Sequence, residues 1–578
     1  MINKNIKILG ACLATLALFP TSDLLAQETD TLSMDVTFVG EREMVVKDAI
    51  KLQSWPEPRR LDGGKKNFSY KLLSKRMNVV PSWTKVEPVR LKVDAPLARL
   101  YRGYARAGYG VYNTPFLDIS LTDLRSREGT WGVAASHFAT DVPNKLVDER
   151  FKDSELSLWS SKFLGKEKVD LSAHLGNNSI VYYGSPLADS LAPDTTLGIR
   201  TNYTSYGASL GLKSHHRDSL YINHEADFNW IQLIDGNGTV ENNFNGRFEF
   251  KKFSNGDKIA VKGNYSIDRL TLGAVNPNST RIDAAIVGLE PSITTYKGPL
   301  TAKLGAGLWI DADSQSRLGD GNSFYFYPQA ELSIRLLRDI FVPYLSIDGG
   351  LAQNRLQTTL EQNPFYHAEL DNELRTTSRK RDVNLGMRGT LTDALSFNMF
   401  VSTVSFDDYM YFINDIELNE GSRFTTFNDT LNVKSFGGDV NLSLSEKLDL
   451  RCNATVFKYD HKQQAEAWNL PGYTASLDIK YTFLERFTLK STTTVVGERM
   501  GVSNVAPLDE GSFTMLEDGR YSVKLPGYLD LNLNFEYRYS QRTAIWISTS
   551  NLTGSNYRHW TGYRVQGTQA LLGASYAF

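Results

Sequence analysis

The chain has 578 residues and carries 63 basic against 65 acidic side chains, a balance that gives no electrostatic case for nucleic acid as a partner. Beyond the N-terminal leader no apolar run reaches the roughly 20 residues that a membrane-spanning helix needs. Of the two cysteines, Cys12 lies in that leader and Cys452 alone remains, which excludes an intramolecular disulfide.

The leader itself is a secretory signal. Lys4 and Lys7 form a basic start, Ile8 to Phe19 an apolar core, and Leu24-Leu25-Ala26 precede Gln27, so residues 1–26 are expected to be removed after Ala26. Leu9-Gly10-Ala11-Cys12 resembles a lipoprotein box, but the apolar run before it is only about two residues. Residues 27–96 follow. They hold Pro56, Pro58, Pro81, Pro88 and Pro96 with basic residues such as Arg59, Arg60, Lys65 and Lys66. Their apolar patterning is too thin for an independent core, so they read as a short periplasmic or lumenal extension.

From residue 97 onward the pattern has period two. Ile259, Val261, Gly263, Tyr265 and Ile267 alternate with Ala260, Lys262, Asn264, Ser266 and Asp268. Leu448, Leu450, Cys452, Ala454 and Val456 alternate with Asp449, Arg451, Asn453 and Thr455. Residues 473–483 repeat this, and Leu529, Leu531, Leu533, Phe535, Tyr537 and Tyr539 alternate with Asp530, Asn532, Asn534, Glu536 and Arg538. A helix would need period 3.6. One face of such strands suits lipid and the other a wet lumen. A barrel therefore accommodates a negative mean hydropathy together with 28 Tyr and 29 Phe.

Short turns punctuate the strands at Arg127-Glu128-Gly129, Gly165-Lys166-Glu167, His216-Arg217-Asp218, Asn255-Gly256, Lys297-Gly298-Pro299, Arg338-Asp339, Thr392-Asp393, Ser445-Glu446-Lys447, Glu485-Arg486 and Ser540-Gln541-Arg542. Between them lie longer irregular stretches such as Glu361–Arg375 and Asn504–Gly519. Short periplasmic turns and long extracellular loops are the asymmetry of an outer-membrane barrel. With both chain ends on the periplasmic side, the turns give a transmembrane antiparallel β-barrel of about 22 strands over residues 97–578. The stretches Tyr183–Leu197 and Arg355–Lys380 leave that count open by two or four.

No catalytic constellation stands out, and the chain does not read as an enzyme. His215-His216 sits at a turn, where adjacent side chains point apart. Asp311, Asp313, Gly319, Asp320 and Asn322 form an acidic loop whose oxygen ligands offer calcium as an alternative, but the spacing does not match the EF-hand and the loop reads as a solvated extracellular one. Asp407 and Asp408 beside Tyr409, Tyr411 and Phe412 look like an aromatic girdle and loop base, with a ligand platform as the alternative. No metal or cofactor site is expected.

The chain ends on Gly573-Ala574-Ser575-Tyr576-Ala577-Phe578. Tyr576 and Phe578 fall on one face of a strand. A closing strand that stops on an aromatic residue is what the barrel-assembly machinery reads, so Gly573, Tyr576 and Phe578 are the candidate assembly signal. Upstream, Asn551-Leu552-Thr553-Gly554-Ser555-Asn556-Tyr557 and Gly562-Tyr563, with Gly567 and the final Phe, resemble the ending of TonB-dependent receptors. Leu100 to Gly110 resembles the barrel start of receptor-like proteins of the Bacteroidota.

That resemblance covers roughly residues 98–578. It implies an outer-membrane barrel that mediates passage or uptake of a solute. It also implies membrane lipid and lipopolysaccharide as surroundings, and TonB or another outer-membrane protein as a partner. Asp35-Val36-Thr37-Phe38-Val39 resembles a TonB box. Family members fill the barrel with a plug of well over a hundred residues, which 27–96 is too short to supply. The alternative is a non-transporting partner barrel in an outer-membrane complex.

Overall fold

The computed structural model describes residues 100–578, except 125, 127, 143–149, 185–198, 216–220, 274–280, 313–321, 338, 369–373, 415–421, 446, 504–512 and 518. The leader and the extension at 27–96 lie outside the described residues. So does the TonB-box-like segment.

Alternating sequence becomes strand, and neighbouring strands hydrogen-bond across tight turns at one end and longer connections at the other. The result is one antiparallel sheet of 22 strands. It closes on itself. The first strand, Gly103–Gly110, pairs with the last, Gln569–Ala577, with Tyr104 opposite Ala577 and Gly110 opposite Leu571. Gly103 and Phe578 complete the seam with two backbone hydrogen bonds of 2.9 Å.

The expected turns fall between strands, at one end of the barrel together with Phe578 (the turn end), apart from His216-Arg217-Asp218, which lies outside the described residues. Asn255 and Gly256 have φ of 53° and 87°, the pair of positive values that a two-residue type I′ hairpin requires. The opposite end carries the longer connections (the loop end). Of the two open stretches, Tyr183–Leu197 lies almost wholly outside the described residues, while the described part of 353–376 holds a short helix, Leu356–Gln362, before the next strand starts at Thr377.

Register fixes which side chains share a face. Ile545 lies opposite Ala574, and Ile547 opposite Leu572 and Phe535. These point outward with the half-exposed Tyr576 and Phe578, whose rings stack at 6.1 Å. Trp546 lies opposite Gly573 and Glu536 and points inward, buried. Leu158, Leu171, Phe244, Phe250, Ile259, Leu385 and Val401 continue the outward apolar belt, a surface that lipid solvates and water does not.

A measurement follows for residues 528–538. Lysine at Leu533 should cost about 2–4 kcal/mol of folding free energy in a bilayer, against little at Asn534 on the lumenal face. Equal unfolding midpoints for Leu533→Lys and Asn534→Lys would contradict the facing.

Candidate functional site

The site is the barrel mouth at the loop end, where several connections fold inward and pack on one another. The 353–376 connection contributes the helix, and its anchor is Glu241. That residue starts the inward face of its strand with Asn243, and both are fully buried. The Glu241 carboxylate accepts the backbone N–H of Leu356 and of Gln357, the latter at 3.0 Å. Arg355 donates to Asn243 Oδ1 at 2.6 Å. One buried carboxyl group thus satisfies two of the N–H groups that a helix start leaves open.

Past the helix the chain turns through Asn363 into Phe365, Tyr366 and His367. Leu356 and Tyr366 join an apolar cluster with Ile180, Tyr182, Tyr203, Leu233, Leu270 and Phe424, drawn from strands around the wall. Tyr182 and Tyr203 share a hydroxyl hydrogen bond of 2.8 Å, and Tyr182 donates to the Tyr366 carbonyl at 3.2 Å.

A second inward element is the hairpin joining Leu395–Asn414 to Phe424–Ser445. The ladder between these strands slips between Phe406 and Tyr409, where Asp408 takes φ of 52°. Beyond this bulge both faces are buried. Met410 and Phe412 pack into the helix cluster, whereas Tyr411 and Leu431 pack on Trp468 and Val502. A wall strand cannot bury both faces this way, so the hairpin leans over the mouth. Asp407 pairs with Lys380, and Asp408 lies 3.8 Å from Arg375. The 407–412 stretch is therefore the kink and body of an inward hairpin. Tyr411 and Phe412 are buried, which corrects the expectation of a girdle and leaves no open platform.

Two further connections complete the cap. Residues 499–525 form a three-stranded sheet of Arg499–Ser503, Phe513–Met515 and Tyr521–Leu525. Arg499 donates to the carbonyls of Arg558 and His559 at 2.6 and 2.7 Å. Tyr563, fully buried, stacks on Phe365 at 3.5 Å and donates its hydroxyl to the Ser422 carbonyl. Tyr183 donates to the Arg564 carbonyl at 2.8 Å. Tyr563 thus joins three connections.

His367 gives the cap a pH response. Burial, with the Arg423 guanidinium nearby, pushes its imidazole down to about 4. An unfolded His takes its proton near 6.5. Below that pH the open state binds more protons, so cap stability is whole above about 6.5 and is lost as pH falls toward 4. The loss at pH 5 should be about 2 kcal/mol. Cleavage in the cap by papain, which is active across this range, scaled to an unfolded substrate at each pH, should rise between pH 7.5 and 5, and His367→Gln should flatten that rise. An identical profile in the variant would refute it.

The sequence-derived candidates distribute as follows. Gly573, Tyr576 and Phe578 lie together on the closing strand, away from the mouth. An added Cβ at Gly573 would overlap the Trp546 indole and the Ala107 carbonyl. Trp546 also carries the Arg106 guanidinium on its ring at 4.0 Å. His215 packs against Phe163 at 4.8 Å. Of the acidic loop, Asp313, Gly319 and Asp320 lie outside the described residues, while Asp311 is buried and accepts from Thr376 at 3.4 Å. Among the described residues no group of three or more His, Cys, Asp or Glu is placed to hold a metal. Glu241 and Trp546 were not singled out from the sequence, where each reads as one more alternating residue. Tyr563 entered there only as part of the receptor-like ending, not as a packing joint.

Several solved structures share this architecture. The FrpB iron transporter of Neisseria meningitidis superposes with a TM-score of 0.60 at 11% identity, covering 83% of this chain and 82% of that one. The siderophore receptor PirA of Acinetobacter baumannii gives 0.61 at 13% identity, covering 82% and 80%. A ferric enterobactin receptor of Pseudomonas aeruginosa gives 0.59 at 12% identity, again covering 82% and 80%. The chain shares the fold of these barrels. At these identities the likeness concerns the fold alone. No protein family profile and no curated protein matches the sequence. The resemblance carried by Asn551–Tyr563 and the closing strand therefore holds at the level of architecture.

Proposed function

We propose that the protein is an outer-membrane, TonB-dependent-receptor-like barrel that passes or takes up a solute, with its turn end in the periplasm and its loop end outside the cell. The observation that carries this reading is a closed barrel of 22 strands whose inward wall is polar and charged and whose mouth is covered by a folded cap. Lys303, Glu331, Asp382, Arg388, Asp478 and Glu536 all stand on that inward face. Barrels of this width hold something in the lumen, since an empty one would leak. Within the mature chain, after a signal peptide at 1–26, the candidates are residues 27–96 and inward-folded loops such as 504–519. In 27–96, Arg59, Arg60, Lys65 and Lys66 complement lumenal carboxylates such as Asp478 and Glu536. Asp35–Val39 would present the segment to TonB. The surroundings in this reading are bilayer lipid and lipopolysaccharide, reached through the barrel-assembly machinery. The iron and siderophore names of the structural neighbours make such solutes the first to try.

The test is conductance in a planar bilayer. A chain starting near Asp94 should form the barrel and conduct more than the full mature chain. Equal, low conductance in both would show that 27–96 is not the filler. It would make the extension a periplasmic docking arm and shift weight to a non-transporting partner barrel.

A further inference from the structure

A barrel in lipid must pair both edges of every strand, because hydrocarbon offers no partner for a backbone N–H or C=O. One seam departs from this. Strand Ser323–Ile334 pairs along its whole length with Leu300–Asp311. On its other edge it meets Val342–Ala352 in four rungs, from Ala330 opposite Ile347 to Ser333 opposite Tyr344. Residues 323–329 have no ladder partner on that edge among the described residues. Val342–Ala352 instead follows its other neighbour, Thr377–Thr392, through a bulge between Asp348 and Gly350. The four rungs lie next to a short turn, so the fork opens toward the loop end.

Three features gather at this fork. At its base is a recess of about 450 Å³, lined by both members of the last rung, Ala330 and Ile347, and by lumenal Lys303, Glu331, Asp348 and Asp382. The recess lies on the lumenal side, at the root of the fork where the ladder ends. Outside, Phe324 and Phe326 are 66% and 60% exposed along the unpaired edge. Inside, Trp309, Tyr327, Leu351 and Ile286 form a buried apolar patch on an otherwise polar wall. The Trp309 indole N–H has no hydrogen-bond partner. The Tyr327 ring lies on Gly349, where an added Cβ would come within 2.7 Å of it. Its hydroxyl shares a 2.7 Å hydrogen bond with Ser378, on the strand beyond. Tyr327 thus spans the fork from the lumenal side.

We propose that this fork is a lateral portal through which a single-chain zwitterionic amphiphile passes between the outer leaflet and the lumen, with Tyr327 as its bolt. The recess offers charges of both signs to a head group. Phe324 and Phe326 outside, and Trp309, Tyr327 and Leu351 inside, give the acyl chain apolar surface on either side of the wall. The portal rests on the barrel standing in a bilayer. It does not depend on uptake through the mouth or on TonB, and its test reads contact rather than transport.

The test uses the full mature chain in nanodiscs containing a diazirine-bearing palmitoyl lysophosphatidylcholine, with crosslinks mapped by mass spectrometry. Labels should fall on the lumenal residues Trp309, Tyr327 or Leu351 as well as on Phe324 and Phe326. Tyr327→Phe, which removes the bond to Ser378, should raise lumenal labelling severalfold. In a Cys452→Ser background, oxidising Gln329→Cys with Asp348→Cys, the first positions past the last rung, should reduce lumenal labelling to background. Dithiothreitol should restore it. Labels confined to Phe324 and Phe326 in both the parent and Tyr327→Phe would overturn the portal, as would lumenal labelling indifferent to oxidation.

Discussion

Tyr563→Ala should open the cap and leave the barrel standing. The side chain is fully buried and stacks on Phe365, and its hydroxyl reaches Ser422 in a different connection. Truncating a buried aromatic typically costs about 3–5 kcal/mol, and here a hydrogen bond is lost as well. The barrel does not share this cost, because its strands are held by ladders that Tyr563 does not enter. Two readouts should therefore separate. The folded barrel should keep its heat-dependent shift in gel migration. Trypsin should cut faster at Arg375, Arg423 and Arg558, which the parent protects. Channel current should show longer open events. If protease resistance and current match the parent, the cap is not held by this joint. If the migration shift disappears, the cap and the barrel fold as one unit.

Why the barrel was legible in the sequence and the cap was not has a physical answer. Lipid on one side and water on the other impose period two on every wall strand, and residues 529–539 write that constraint in plain alternation. Tight turns need particular backbone angles, which Asn255-Gly256 advertises. A count of turns then gives the strands, and the pairing of Gly103–Gly110 with Gln569–Ala577 closes them. The cap obeys no such constraint. Its helix has seven residues, too few for a helical period to show. Its anchor Glu241 sits where the alternation wants any polar residue, and what marks it is a partner more than a hundred positions away. At Asp408 a single bulge reverses which residues face where, so alternation carried through it misassigns Tyr411 and Phe412. The fork at Ser323–Ile334 is hidden for a related reason. Phe324 and Phe326 alternate normally, and only the register shows that their strand has lost a neighbour.

Alanine at Tyr576 and Phe578 together should block membrane assembly, the largest effect expected from any surface substitution here. Both rings face outward and stack on each other, and an added Cβ at Gly103 would meet the Phe578 ring. They therefore cover the seam where the last strand joins the first. Losing them removes apolar area from the one ladder that must form between chain ends, where closure entropy is greatest. It also removes the aromatic face offered to the assembly machinery. A steric variant distinguishes these two contributions. Gly573 has no room for a side chain between Trp546 and the Ala107 carbonyl. Gly573→Val leaves the aromatic face intact but forces the seam apart. If recognition dominates, Gly573→Val should reach the outer membrane and remain there with lowered thermal stability, while Tyr576→Ala/Phe578→Ala should be degraded before insertion. If closure dominates, both should fail alike in cells. Both should then also fail to refold from urea into detergent micelles, where no assembly machinery is present. Outer-membrane levels of the aromatic double variant equal to the parent would remove both explanations, because neither recognition nor closure would then depend on the pair.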